Sequence, residues 1–217
     1  MSLARRASAE ALGTALLLAA VVGSGIMGER LAQGNAAVAL LANSLATGFA
    51  LAALIVAFGP RSGAHFNPVV TLALAWRGDV SRRDVPAYLA AQFVGALAGV
   101  AAAHFMFDLP LIQFSAKARS SVGLWFSEAV ATLGLVLVVL SCDAKRPWAA
   151  PLAVAGYIAA AYWFTASTSF ANPAVTLARG FTDTFAGIDL NHVAPFIAAQ
   201  VIGAGLAVVA DRTMRAF

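Results

Sequence analysis

The residues in this 217-residue chain whose types and spacing could do chemistry are few, and most come in pairs. Asn67-Pro68-Val69 and Asn172-Pro173-Ala174 each open a short apolar run, and Glu10 and Glu128 each stand alone inside a long one. His65 sits two residues ahead of Asn67. Such groups can accept and donate hydrogen bonds and set an electrostatic field, but they offer no bond-making machinery. The sequence has no HExxH, no paired catalytic carboxylates and no Ser/His/Asp arrangement. It therefore predicts no enzyme, no metal and no cofactor. Cys142, the sole cysteine, excludes an internal disulfide and a cysteine-cluster metal site. At the end of its apolar run it reads as a small buried side chain.

Asparagine is a favoured N-cap because its side-chain oxygen takes up an orphan backbone N–H. Proline at the next position has no donor to lose and a φ preset for a helix. Residues 66–76 and 171–182 therefore read as helices that begin at Asn-Pro and are too short to cross a bilayer, which needs about 20 residues. Half-helices with irregular ends survive in lipid only when buried in protein or lining a watery cavity.

The elements around them are apolar. Of all residues 61% are hydrophobic and 11% charged, against about 25% charged in a soluble domain, and the mean hydropathy is +0.82. Six spans follow, at 8–28, 36–58, 85–107, 122–142, 149–166 and 192–212. Arg5 and Arg6 ahead of an apolar run resemble a secretory leader, but no A-x-A site follows, and the segment reads as a retained helix. The net charge of +4 reflects basic loops rather than a nucleic-acid surface, since no basic run carries interleaved aromatics. With both termini cytoplasmic, ten basic residues lie inside and four (Arg30, Lys117, Arg119, Arg179) outside. That asymmetry predicts a multi-pass protein of the cell's inner membrane with N and C termini in the cytoplasm. His104 and His192 are expected at the interfaces.

The two halves match. AEALGT (9–14) recurs as SEAVAT (127–132), HFNPVVTLA (65–73) as FANPAVTLA (170–178), and YLAAQFVGA (88–96) as FIAAQVIGA (196–204). Each half, approximately 1–115 and 116–217 of one channel domain spanning 1–217, holds three spans and one half-helix. Three is odd, so the second copy enters the membrane upside down. The expected fold is an all-α membrane protein: six transmembrane helices plus two re-entrant half-helices whose Asn-Pro starts meet near the midplane.

Paired Asn-Pro boxes at inverted-repeat positions, preceded by Glu10/Thr14 and Glu128/Thr132, resemble the aquaporin (major intrinsic protein) family over nearly the whole chain. GSGIMGERLAQGN and ALLANSLATG look most like a bacterial aquaglyceroporin branch linked to arsenic resistance. The resemblance implies a homotetramer with one pore per subunit. It also implies that Glu10 and Glu128 accept hydrogen bonds from the re-entrant loops, with His65 as a further brace. The box departs at Val69, where the family has Ala; that change is expected to tighten or displace packing between the boxes without closing the pore.

By the same resemblance, a four-residue filter maps to Thr47, Ala160, Ser169 and Val175. A shift of two residues would put Tyr162 in place of Ala160. Val175 stands where the family has Arg. Arg179, one turn farther out, either guards the outer mouth or snorkels to the interface. A small-sided, uncharged ring predicts passive passage of glycerol, urea, metalloid hydroxides such as arsenite, and water. The alternative is a proton- or ion-coupled secondary transporter, which inverted repeats with broken helices also build.

Overall fold

The computed structural model describes residues 1–142 and 148–215. Lys145 and Arg146, counted above toward the cytoplasmic side, lie outside the described residues. Among the described residues eight α-helices follow one another: α1 (Leu3–Leu31), α2 (Ala36–Ser62), α3 (Pro68–Arg77), α4 (Val85–Met106), α5 (Val122–Ser141), α6 (Ala149–Phe164), α7 (Pro173–Arg179) and α8 (Val193–Arg215). Several start at caps readable in the sequence: Ser2 accepts from Arg5 N, Asn35 from Ala37 N and Val38 N, and Ser121 from Leu124 N. Among the described residues five helices are long and apolar enough to cross a membrane. The sixth, α6, has 16 residues and ends two residues before the expected limit, where Thr165 turns extended.

Packing follows the repeat. α1 lies against α2 and α4, α5 lies against α6 and α8, and α2 meets α6 across the centre. α3 packs on α8 and α7 on α4, so each half-helix is held by the opposite half as well as its own. The outer surface carries large apolar side chains, among them Phe49, Phe105 and Phe126, each more than two-thirds exposed. Continuous exposure of this kind suits lipid and would be a liability in water.

Arg6 pairs with Asp84 at 2.9 Å, and Arg77 and Arg215 both donate to Leu140 O (2.7 and 3.0 Å), which places both termini on one face, called here the terminal face. The 107–121 and 180–192 segments form the distal face. Gln113 N and Ser115 N bond Phe181 O and Gly180 O there. His104 is fully buried rather than interfacial: its ring bonds Leu111 O and Thr182 Oγ1 (3.1 and 2.7 Å) and pins both segments. His192 is half-buried and accepts from Arg119 N at 3.2 Å.

Candidate functional site

The two Asn-Pro boxes meet at the centre. Asn67 caps α3 by accepting from Val69 N at 3.1 Å; Asn172 caps α7 by accepting from Ala174 N and Val175 N at 3.0 and 3.3 Å. Their side-chain nitrogens cross over. Asn67 Nδ2 donates to Ala171 O at 2.7 Å, and Asn172 Nδ2 donates to Phe66 O at 2.8 Å. An amide has two N–H groups, so this exchange leaves each asparagine one for the cavity both residues line. The sequence pointed to the meeting of the two Asn-Pro starts but not to the crossed pair.

The loops that deliver the boxes hold unusual backbone. Ala64, Phe66, Thr168, Ser169 and Ala171 all adopt positive φ without being glycine, a conformation that costs roughly 1–2 kcal/mol per residue. Glu10 and Glu128 offset it. Glu10 accepts from Ser62 Oγ, His65 N, Phe66 N and Gln92 Nε2 at 2.6–3.0 Å. Glu128 accepts from Phe170 N, Ala171 N and Gln200 Nε2 at 2.6–2.9 Å. Both carboxylates are fully buried. The glutamines continue the chain of bonds to Thr71 Oγ1 and Thr176 Oγ1, which donate to the carbonyls of Asn67 and Asn172. Gln92, Gln200, Thr71 and Thr176 were not singled out in the sequence, although all four sit inside its repeats. His65 Nδ1 bonds Thr71 Oγ1 at 3.0 Å.

A cavity of about 130 Å³ runs past both asparagines. It has room for several waters, each needing about 10–15 Å³. Among the described residues no Asp or Glu lines it. Toward the terminal face its wall includes His65, Leu74, Val139 and Cys142; toward the distal face it includes Thr47, Tyr162, Ser169, Phe170, Val175 and Arg179. Cys142, expected buried, is partly exposed and caps α5.

Three sequence expectations change here. Ala160 faces outward and is exposed, while Tyr162 enters the cavity wall and its hydroxyl donates to Thr47 Oγ1 at 3.3 Å. The reason is helical phase: Ile158 and Tyr162, four apart, share the inner stripe of α6 and Ala160 lies off it. Val69 does not pack between the boxes. It is 1% exposed in a cluster with Ala73, Val136, Leu140, Ala204 and Ala207, on the α5–α8 side. Arg179 does not snorkel: it is 3% exposed, its Nε donates to Ala186 O, and its guanidinium lies 3.4 Å from the Phe170 ring centroid. The ring at this level is thus neither uncharged nor small-sided.

Residues 1–150 match the model of the family described as "Major intrinsic protein". The chain is 54% identical over 202 residues to aquaglyceroporin AqpS of Rhizobium meliloti, covering 93% of this chain and 86% of that one. It is 31% identical to aquaporin AqpM of Methanothermobacter thermautotrophicus, covering 95% and 96%. Its fold superposes on the X-ray structure of the aquaglyceroporin from Plasmodium falciparum with a TM-score of 0.81 at 20% identity, covering 98% and 97%.

Proposed function

This chain belongs to the major intrinsic protein family, and from that premise we propose a passive pore, wide enough for glycerol, urea and metalloid hydroxides such as arsenite as well as water. At the coarser level it is an aquaglyceroporin-type membrane channel for small solutes and not an enzyme. The observation that carries the finer reading is a cavity that passes both asparagine amides, has no carboxylate in its wall among the described residues, and ends distally at an amphipathic collar.

The collar combines the Tyr162 ring, Phe170 and Val175 with the Thr47 and Ser169 hydroxyls and the Arg179 guanidinium. A polyol presents carbon to one side and hydroxyls to the other, and this lining suits that division. At the centre, α3 and α7 point their amino ends at the same stretch of cavity. Each helix end acts as roughly half a positive charge, so cations are repelled while neutral hydroxyls accept from the free amide hydrogens. A coupled transporter needs a chargeable group free on the solute path; Glu128 is spent on the loop, and His65, which does line the wall, is tied to Thr71 Oγ1. We place the distal face outside the cell, the termini in the cytoplasm, and four copies in the assembly. An arsenic-linked role fits the same hydroxide chemistry.

Stopped-flow light scattering on reconstituted vesicles tests this reading. Glycerol, urea and arsenite should each equilibrate several-fold faster than in empty vesicles, with rates indifferent to a protonophore. No solute flux above empty vesicles, or flux that collapses with the protonophore, would overturn it. Two variants sharpen it. Val175→Arg adds a second cation one turn inside Arg179 and should cut glycerol flux roughly tenfold, equivalent to about 1.4 kcal/mol of barrier, with water affected less. Cys142 is the sole thiol. A cationic methanethiosulfonate should therefore suppress flux in the parent chain and leave Cys142→Ser unaffected.

A further inference from the structure

The distal mouth carries more positive charge than a neutral solute requires. Arg179 lines the cavity, and only its Nε has a protein acceptor among the described residues. Arg119 approaches the cavity from the loop between α4 and α5 without itself lining it. Its Nε donates to Gly187 O at 2.9 Å and its Nη1 to Ser167 O at 3.3 Å, which fastens it to the segments flanking the collar. Both guanidinium carbons lie over one ring, at 3.4 Å (Arg179) and 5.0 Å (Arg119) from the Phe170 centroid. Neither arginine forms an ion pair among the described residues, whose pairs are Arg6–Asp84, Arg77–Asp79 and Arg215–Asp211. Glu128 forms no ion pair with either arginine; its oxygens accept from Phe170 N, Ala171 N and Gln200 Nε2. Lys117 adds a third cation nearby; burial first, then Arg119, lowers its affinity for a proton, while Glu29 and Asp183 raise it.

Ser169 supplies an independent sign of a ligand. It is 3% exposed, it lines the cavity beside Arg179, and its Oγ has no partner among the described residues. A guanidinium has five N–H donors in a planar fork that matches an oxoanion. We propose that Ser169, Arg179 and Arg119 bind a small oxoanion of the phosphate or arsenate type at the distal mouth, and that its occupancy blocks the passage of neutral solutes. The ion is held rather than conducted because an apolar stretch that includes Leu17, Val21 and Ile158 lies in the wall beyond the collar and offers nothing to replace its water.

The block rests on the reading that the cavity is the permeation path, whereas binding does not, so the two are measured separately. Glycerol flux is followed in zwitterionic vesicles with inorganic phosphate on both sides, against chloride at equal ionic strength. Phosphate should slow glycerol several-fold and saturably, and chloride should not. Arg119→Gln and Arg179→Gln should each raise the half-inhibitory phosphate concentration by about tenfold or more, as expected for losing a charge-assisted hydrogen bond. Phosphate is also titrated calorimetrically into the purified protein, where Ser169→Ala serves as a milder variant if either arginine change prevents folding. Weaker phosphate binding in the variants supports the site even if glycerol never permeates. No saturable binding, or inhibition equal in parent and variants or equal with chloride, overturns it.

Discussion

Glu128→Ala should leave little folded channel. Its carboxylate is fully buried and holds two consecutive backbone N–H groups, Phe170 and Ala171, together with the Gln200 amide. Alanine strands all three donors where no water is at hand, and each unsatisfied buried donor costs about 1–3 kcal/mol. Ser169 and Ala171 are meanwhile held at positive φ, a strain the carboxylate stabilises and that the loop would relieve by moving. The sum, on the order of 3–9 kcal/mol, is a large share of an ordinary protein's whole stability. Detergent-solubilised Glu128→Ala should show a sharply lowered melting temperature and no glycerol flux. Glu128→Gln should fall between, because an amide keeps one acceptor but turns an N–H2 toward a donor. A Glu128→Ala protein with parental melting and flux would mean that the loop stands without its brace.

The outline of the fold was legible because its signals are local. Asn followed by Pro sets cap chemistry and φ within two residues, so the starts of α3 and α7 could be read directly. Matching segments in matching order then required an inverted second half. What escaped depends on contacts made elsewhere. Tyr162 rather than Ala160 reaches the cavity because the phase of α6, which turns Ile158 and Tyr162 inward, is set by its packing on α2 and α5. Arg179 looked free to reach the interface, yet a carbonyl from Ala186 and the face of Phe170 solvate it inside. Arg119 lies in a loop with no repeat partner to draw attention to it. The second half-helix, read as 171–182, ends at Arg179 because the chain folds back at Gly180, whose added Cβ would lie 2.3 Å from Leu190 Cδ2.

Gly203→Val should be comparably damaging from farther away. A Cβ at Gly203 would fall 2.2 Å from Ala129 O, and one at Gly95 would fall 2.2 Å from Ala11 O. These are backbone atoms of the facing helix, so no side chain can swing clear, and α8 must back away from α5, or α4 from α1. The repeat that places Gly203 also places Gln200 three residues earlier, about one helical turn. Close approach at the glycine is thus what lets the Gln200 amide span from Glu128 to Thr176, at 2.6 and 2.7 Å. Valine would separate the helices, part those bonds, and release the loop that carries Phe170 and Asn172, so a packing change becomes a loss of pore geometry. Gly203→Val and Gly95→Val should each cut glycerol flux by at least about tenfold, corresponding to about 1.4 kcal/mol or more, and lower the melting temperature. Gly203→Ala should do the same less severely, since it adds one methyl instead of three carbons. If Gly203→Val kept full flux with only reduced stability, the helix contact would be separable from the box it was argued to support.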